Sequence, residues 1–370
     1  MNRLLKFSDC SPVILSPSIV IPNLSPRVIL SAAKDLEAKN RKEITRDSSS
    51  LSLLRMTTRC FFNSHRLCCL AVLLAAYILA GCSLNRAAVN VIGDALAEGG
   101  GVYTSDDDPE LIREALPFGL KTFESLLEVS PGHQGLLLAA SRGFAAYAFL
   151  IQDEADRLDE TDLRQAQQFR ARARKLYLRG RDYALRGLQA RHPGFTAELR
   201  KGRAAALRAA TKDDAPFLYW AGVSWAGAVS VAKNDPDLLI DLPLAGALVE
   251  RVVALDEQYD LGATHEFFVS YEASRPGGSS AKAREHYRRA LEISGGQRAS
   301  TYLALAENVT IKEQNLAEFR SLIAAALAVD PEKNPQLRLV NTISRRRAVW
   351  LGSRVSHLFL EADSQKESEK

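Results

Sequence analysis

Four apolar clusters in this chain repeat one pattern, and that recurrence restricts the fold more than any single motif does. They are Phe123/Leu126/Leu127/Val129, Val249/Val252/Val253/Leu255, Tyr287/Ala290/Leu291/Ile293 and Ile323/Ala326/Leu327/Val329, with a fainter copy at Ala184/Gly187/Leu188/Ala190. Offsets of three and four put the leading positions of each cluster on one helix face. The last three strong copies start at Val249, Tyr287 and Ile323, a spacing close to the length of two antiparallel helices and their turns. The upstream intervals, from Phe123 to Ala184 and from Ala184 to Val249, exceed one such unit and must carry longer or additional helices. A lone helical hairpin cannot bury its own apolar face, so hairpins stack and leave a concave surface.

The intervening sequence fits this reading. Asp108-Pro109-Glu110 supplies an N-cap, a first-turn proline and a first-turn acid for a helix ending near Val129. Ser130-Pro131-Gly132 stops it, and Leu136, Ala140, Phe144, Tyr147 and Ile151 mark a second helix reaching about Leu158. Thr161 is placed to cap an Arg-rich third helix, while Asp214-Ala215-Pro216 and Asp235-Pro236 open two more. No run alternates as a strand does, and no Asn-Gly or Asp-Gly pair marks a hairpin. "SAKAREHYRRALEIS" and "LAEFRSLIAAALAVDP" resemble the second helix of a tetratricopeptide repeat. The expected fold is all-α, a degenerate tetratricopeptide-like helical hairpin array (an α-solenoid) over 109–363, followed by a charged disordered tail at 364–370.

Positions 1–81 hold 11 Lys/Arg against 5 Asp/Glu, and the rest hold 37 against 39. The basic excess is therefore confined to the leader, and the body lacks the surplus charge that nucleic acid binding needs. Residues 1–55 show no sustained period and read as a non-native or disordered extension, with translation starting at Met56. From Met56 to position 81 the chain reads as a secretion signal. Arg59 and Arg66 precede the 14-residue apolar run Leu67–Ala80, short of the roughly 20 residues a spanning helix needs. The run ends in Leu79-Ala80-Gly81-Cys82, which resembles the bacterial lipoprotein processing box. That resemblance implies acylation of the Cys82 thiol, cleavage before it and acylation of the new amino terminus, which together hold a protein firmly on a membrane. Ser83, where Asp would signal otherwise, slightly favours the outer over the inner membrane. Residues 82–108, with Gly99-Gly100-Gly101 and Ser105-Asp106-Asp107-Asp108, read as the lipidated terminus and a flexible tether.

All five cysteines lie at or before Cys82, which excludes intramolecular disulfides, Cys-based zinc sites and a cysteine nucleophile from the body. Gly277-Gly278-Ser279-Ser280-Ala281-Lys282 lacks the spacing and preceding strand of a phosphate loop. His265 reads as a neutral histidine on a packed helix, and no Gly-x-Ser-x-Gly elbow accompanies any serine. No metal, cofactor or catalytic constellation is expected, and the chain does not read as an enzyme. Arg345-Arg346-Arg347 reads as a solvated helix face. The stretch Pro216–Gly227 is unusual, because Trp220 and Trp225 alternate there with small residues that allow close helix approach. Five residues apart, they diverge by about 140°. Core packing against neighbouring hairpins and an aromatic lining for an apolar or amphipathic ligand both fit. Tyr147, Tyr219, Trp220 and Trp225 are the candidate ligand-cleft residues.

The processing box, "LIREALPFGLKTFESLLEVSPGHQGLLLAASRGFAAYAFL", "APFLYWAGVSWAGAVS" and the terminal hairpins together resemble the T-component lipoproteins of TRAP transporters, the TatT family, from about Cys82 to Asp363. The resemblance implies a membrane-tethered periplasmic homotrimer. It also implies partnership with the substrate-binding P-component of a tripartite ATP-independent periplasmic transporter, and a hydrophobic ligand that passes through a pore or cleft; an organic-acid ligand is a further expectation for the cleft. The competing expectation is a scaffold lipoprotein for envelope assembly, with no small-molecule ligand.

Overall fold

The computed structural model describes residues 86–360 apart from Arg203. Cys82, the leader and the 364–370 tail lie outside the described residues. The body is all-α, and no strand occurs among the described residues. Helix α1 occupies 86–98, and α2 is the short Gly100–Thr104. Then follow α3 (Pro109–Val129), α4 (Gln134–Leu158), α5 (Leu163–Arg191), α6 (Phe195–Gly202), α7 (Ala204–Ala209), α8 (Ala215–Ser230) and α9 (Pro236–Leu255). The chain continues through α10 (Ala263–Ser274), α11 (Ser280–Ser294), α12 (Ala299–Leu305), α13 (Leu316–Ala328), α14 (Arg338–Ser353) and α15 (Val355–Leu358).

The caps follow local chemistry. Asp108 accepts from the Glu110 and Leu111 amides, and Asp235 from the Leu238 amide, satisfying donors that no helical carbonyl reaches. Helix α5 is capped by Asp162, through the Gln165 amide, and not by Thr161. The shift of one residue reflects the better acceptor, a carboxylate in place of a hydroxyl.

Two apolar cores result. The upstream core joins α3 to α9, and the downstream core joins α10 to α14 with Phe359. Helix α10 borders both: Phe268 belongs to the upstream core and its neighbour Val269 to the downstream one. Helix α4 is long and apolar enough to cross a membrane by length and composition, yet half of that window is buried within the body. It packs against α3, α5 and α8 as a core helix. Glycines set the spacing of the upstream core. A Cβ on Gly187 would lie 2.2 Å from the Phe217 ring, and one on Gly222 would lie 2.8 Å from the Ala245 carbonyl. Helices α8 and α9 therefore meet nearly backbone to backbone, and the Phe217 ring lies directly on the bare α5 backbone at Gly187.

Two sequence expectations are corrected. Within the 82–108 segment, read as a flexible tether, α1 and α2 make most of the described residues helical. Helix α1 docks on the α3–α4 turn, where the Ser130 hydroxyl donates to Asn90 Oδ1 at 2.8 Å and the His133 ring is 3.1 Å from the Asn90 carbonyl. His133 Nδ1 accepts from the Leu136 amide as the α4 cap, so Nε2 carries the proton and donates to Asn90.

Of the Arg345-Arg346-Arg347 run, only Arg346 stays exposed on a solvated face; Arg345 and Arg347 are drawn inward. Arg345 donates to the Val329 carbonyl at 2.7 Å, and Arg346 pairs with Glu110. Arg347, 15% exposed, pairs with Asp153 at 2.7 Å, Asp156 at 3.2 Å and Glu307 at 2.5 Å. Burial opposes its charge, but Glu307, Asp156 and Asp153 more than offset this and hold the guanidinium above the ordinary arginine range. Glu307 reaches it from a π-helical turn, Ala306–Thr310, that follows α12. Beside this network the guanidinium groups of Arg157, Arg347 and Arg354 all lie 4.7–5.7 Å from the Trp350 ring centre. Helix α14 is thereby fastened to α3 and α4, closing the chain's last long helix onto its first ones.

Candidate functional site

The aromatic candidates are spread along α4 and α8. Tyr147 is buried on α4; its hydroxyl accepts from Arg172 Nη2 at 2.8 Å, and the same guanidinium lies 5.3 Å from its ring centre. This explains how so polar a helix as α5 joins the core: Arg172, Arg179, Arg181, Arg186 and Arg191 lay their guanidinium groups over Tyr147, Phe144, Trp225, Tyr183 and Phe217. The cationic heads lie against aromatic faces while the stems cover apolar surface. Trp225 is only 1% exposed, beneath Arg181, and its indole Nε1 has no hydrogen-bond partner among the described residues.

Tyr219 and Trp220 form a different environment. Tyr219 is buried, with Trp220 edge-on at 5.3 Å and Tyr259 at 5.1 Å, while Trp220 remains half-buried. Burial, followed by the nearby Asp260 carboxylate, pushes the Tyr219 phenol well above its ordinary value, so it remains a neutral hydrogen-bonding group. The turn that brings Tyr259 here, Tyr259–Gly262, is strained: Asp260 and Leu261 have φ of 46° and 53°, and Gly262 has 84°. Two consecutive non-glycine residues in the left-handed region are costly, and surrounding contacts must hold them. Arg298 is the main one. It is 6% exposed, and its Nη2 donates to the Asp260 carbonyl at 3.1 Å and carboxylate at 2.8 Å. Its Nε faces Glu266 at 3.7 Å with no hydrogen-bond partner among the described residues. Burial opposes the Arg298 charge, but Glu266 and Asp260 hold it above the usual arginine range.

On the other side of the 257–266 stretch lies an open groove of about 920 Å³ between α9, α10 and α11. Glu257, His265, Phe268, His286 and Arg289 line it; none of the four aromatic candidates does. The Glu257 carboxylate accepts two bonds from Arg289 at 2.7 and 2.8 Å, and Arg289 above all holds it at about 2. The His265 and His286 Nδ1 atoms are 2.9 Å apart, and His265 Nε2 is 3.4 Å from Glu257. Of the two facing Nδ1 atoms one donates and the other accepts; the ionised Glu257 near His265 Nε2, outside hydrogen-bonding geometry, favours a proton on that Nε2 and His286 Nδ1–H donating to His265 Nδ1. Burial chiefly holds both rings below the ordinary histidine value, so the pair is neutral at pH 7. No group of three or more His, Cys, Asp or Glu side chains suited to a metal occurs among the described residues.

The sequence profile of the TRAP transporter T-component family matches residues 105–359. The chain belongs to this family. The match covers both cores, the aromatic corner and the groove. An uncharacterized protein of Treponema pallidum (strain Nichols) is 32% identical over 320 residues, spanning 80% of this chain and 99% of the relative. A T-component is an accessory to a TRAP transporter and belongs to the bacterial envelope.

The fold of this T-component thus brings Tyr219 and Trp220 together, and leaves Tyr147 and Trp225 each under its own arginine. Sequence reasoning missed Tyr259, Asp260 and Arg298, which meet only through tertiary folding. It singled out His265 as a packed neutral histidine, but not its partner His286 on the next helix.

Proposed function

We propose that this T-component is a lipid-anchored periplasmic protein, held through Cys82, that docks the substrate-binding P-component of a TRAP transporter as a closed homotrimer. The observation that carries this reading is the family match across 105–359. Where the anchor resides, the outer membrane is favoured slightly over the inner. The role is non-catalytic.

The proposed ligand is a small hydrophobic molecule, received at the aromatic corner of Tyr219 and Trp220, with Tyr147 and Trp225 stiffening the helices behind it. Half-buried Trp220 supports an aromatic edge that a ligand can reach. Arg298 would suit an organic acid were it free, but Asp260 and Glu266 already balance its charge. An added carboxylate would meet two like charges, so apolar contact is favoured over anion recognition. The scaffold alternative draws on one observation, the near-complete burial of Trp225.

The test is in-cell crosslinking of the full-length tagged protein, followed by native mass spectrometry of the complexes. A trimer that captures a substrate-binding protein and carries a small bound mass is expected. A ligand-free monomer with no such partner would remove the transporter reading in favour of the scaffold. Cys82→Ser should move the protein from the membrane to the soluble periplasm without altering its helicity.

A further inference from the structure

Helix α1 has two faces with opposite fates. Val89 and Gly93 face inward onto the α3–α4 turn, and a Cβ on Gly93 would lie 2.8 Å from the His133 ring. The outward face carries Val91, Ala95, Ala88, Ile92 and Leu96, which at 100° per residue span an arc of about 140°. All five are exposed, Val91 by 70%, Ile92 by 52% and Leu96 by 41%. No charged residue interrupts the arc, and Asp94 and Glu98 lie beyond its Val91 edge. A surface helix in water carries polar residues at such positions. This one presents an apolar stripe in addition to its packed face.

Position fixes what covers it. Arg86, the first described residue of α1, is four residues after Cys82, and four residues of fully extended chain reach about 14 Å at most. If Cys82 carries acyl chains, α1 starts inside or beside the headgroup layer and cannot withdraw from it. We propose that the Val91–Ile92–Leu96 face of α1 lies in the interface of the bilayer leaflet that holds the anchor, and so sets the orientation of the body on the membrane. This rests on the lipid anchor proposed above. The stripe lacks Lys and Arg, so the partner surface is the boundary between headgroups and acyl chains, where apolar burial supplies the contact. The attachment is therefore independent of anionic lipid content. A second copy of the chain is the competing occupant.

The body contains no cysteine after Cys82, which makes single-site labelling clean. Val91→Cys, Ile92→Cys, Asp94→Cys and Leu96→Cys are introduced one at a time into the full-length lipidated protein. Each is nitroxide-labelled and reconstituted into vesicles of phosphatidylethanolamine, with and without phosphatidylglycerol. Labels at 91, 92 and 96 should collide with dissolved oxygen several-fold more than with a water-soluble nickel chelate, at either lipid composition. The label at 94 should show the reverse. Nickel access at all four sites, in protein that still sediments with the vesicles, would overturn the proposal and leave the anchor standing. Shielding from both reagents with spin–spin broadening would overturn it in favour of a contact between copies. Protein that fails to associate with vesicles at all would defeat the anchor reading, and this proposal with it.

Discussion

Helices α8 and α11 are of similar length and are held in opposite ways. Of the 16 residues of α8, ten are buried, among them Phe217, Leu218 and Trp225. Of the 15 in α11, three are, and all are small: Ala283, Ala290 and Ser294. Helix α11 is instead gripped at its flanks, by Arg284 pairing with Glu313 and Glu318 and by Arg289 pairing with Glu257. The upstream core thus gains stability from apolar area and close glycine contacts, which neither titrate nor are screened by salt. The downstream part depends more on charge placed between helices, which is weaker per contact when exposed and responds to its surroundings.

The contrast can be broken most forcefully at Trp225. Trp225→Ala should destabilise the protein by about 3–5 kcal/mol in urea denaturation; a loss below about 1 kcal/mol would mean that the indole lines a space and fills no core. Arg347→Ala should cost about 3 kcal/mol, because it strands Glu307 at a mostly buried site and leaves Asp153 and Asp156 only Arg157 and Arg170. Hydrogen exchange would show the loss in α14 and the helices it covers, ahead of α8. Gly222→Ala should cost about 1–3 kcal/mol through overpacking against Val249 and the Ala245 carbonyl; an unchanged urea midpoint would show that α8 and α9 can part freely.

Smaller effects sharpen the electrostatic side. The folded His265 and His286 titrate below the ordinary value of 6.5, mainly through burial. The unfolded chain therefore takes up protons first as pH falls. The stability that the neutral pair contributes is full above about pH 6.5 and is lost as pH drops through the depressed folded values. Glu272, Glu285 and Lys282 also act on His286, and Glu257 and Arg289 on His265. Denaturation midpoints between pH 7.5 and 5 should fall in the parent chain and flatten in His286→Gln. Parallel curves would place the acid sensitivity elsewhere. Arg284→Ala should cost about 1 kcal/mol at low salt, with the difference shrinking in 1 M sodium chloride.

Much of the helical layout was legible in the sequence, because caps and apolar periods are local. Asp108 and Asp235 cap the helices their positions announce, and α4 ends at Leu158 as its period requires. What escaped depends on partners distant in the chain. Arg345-Arg346-Arg347 looks like a solvated face until Glu110, Asp153, Asp156 and Glu307 arrive around it. The Gly99-Gly100-Gly101 run just after it hides α1, whose support comes from the Ser130–His133 turn. The Tyr259–Gly262 turn lacks any signature, since its left-handed residues are Asp260 and Leu261, held by Arg298 from beyond the next two helices. At the aromatic stretch, sequence could place two tryptophans on diverging faces of one helix but could not say which neighbours each would meet.

The fastening of α14 to α4 also has a temporal side. Arg347 meets carboxylates 191 and 194 residues earlier in the chain, and a ribosome adding about 5–20 residues per second needs roughly 10–40 s to make that stretch. Throughout that interval Asp153 and Asp156 have only Arg157 and Arg170 as counter-charge, and the clasp to α14 is still missing. A clasp whose two halves lie so far apart in the chain closes only after the last long helix has been made, so the first long helices must hold their places without it.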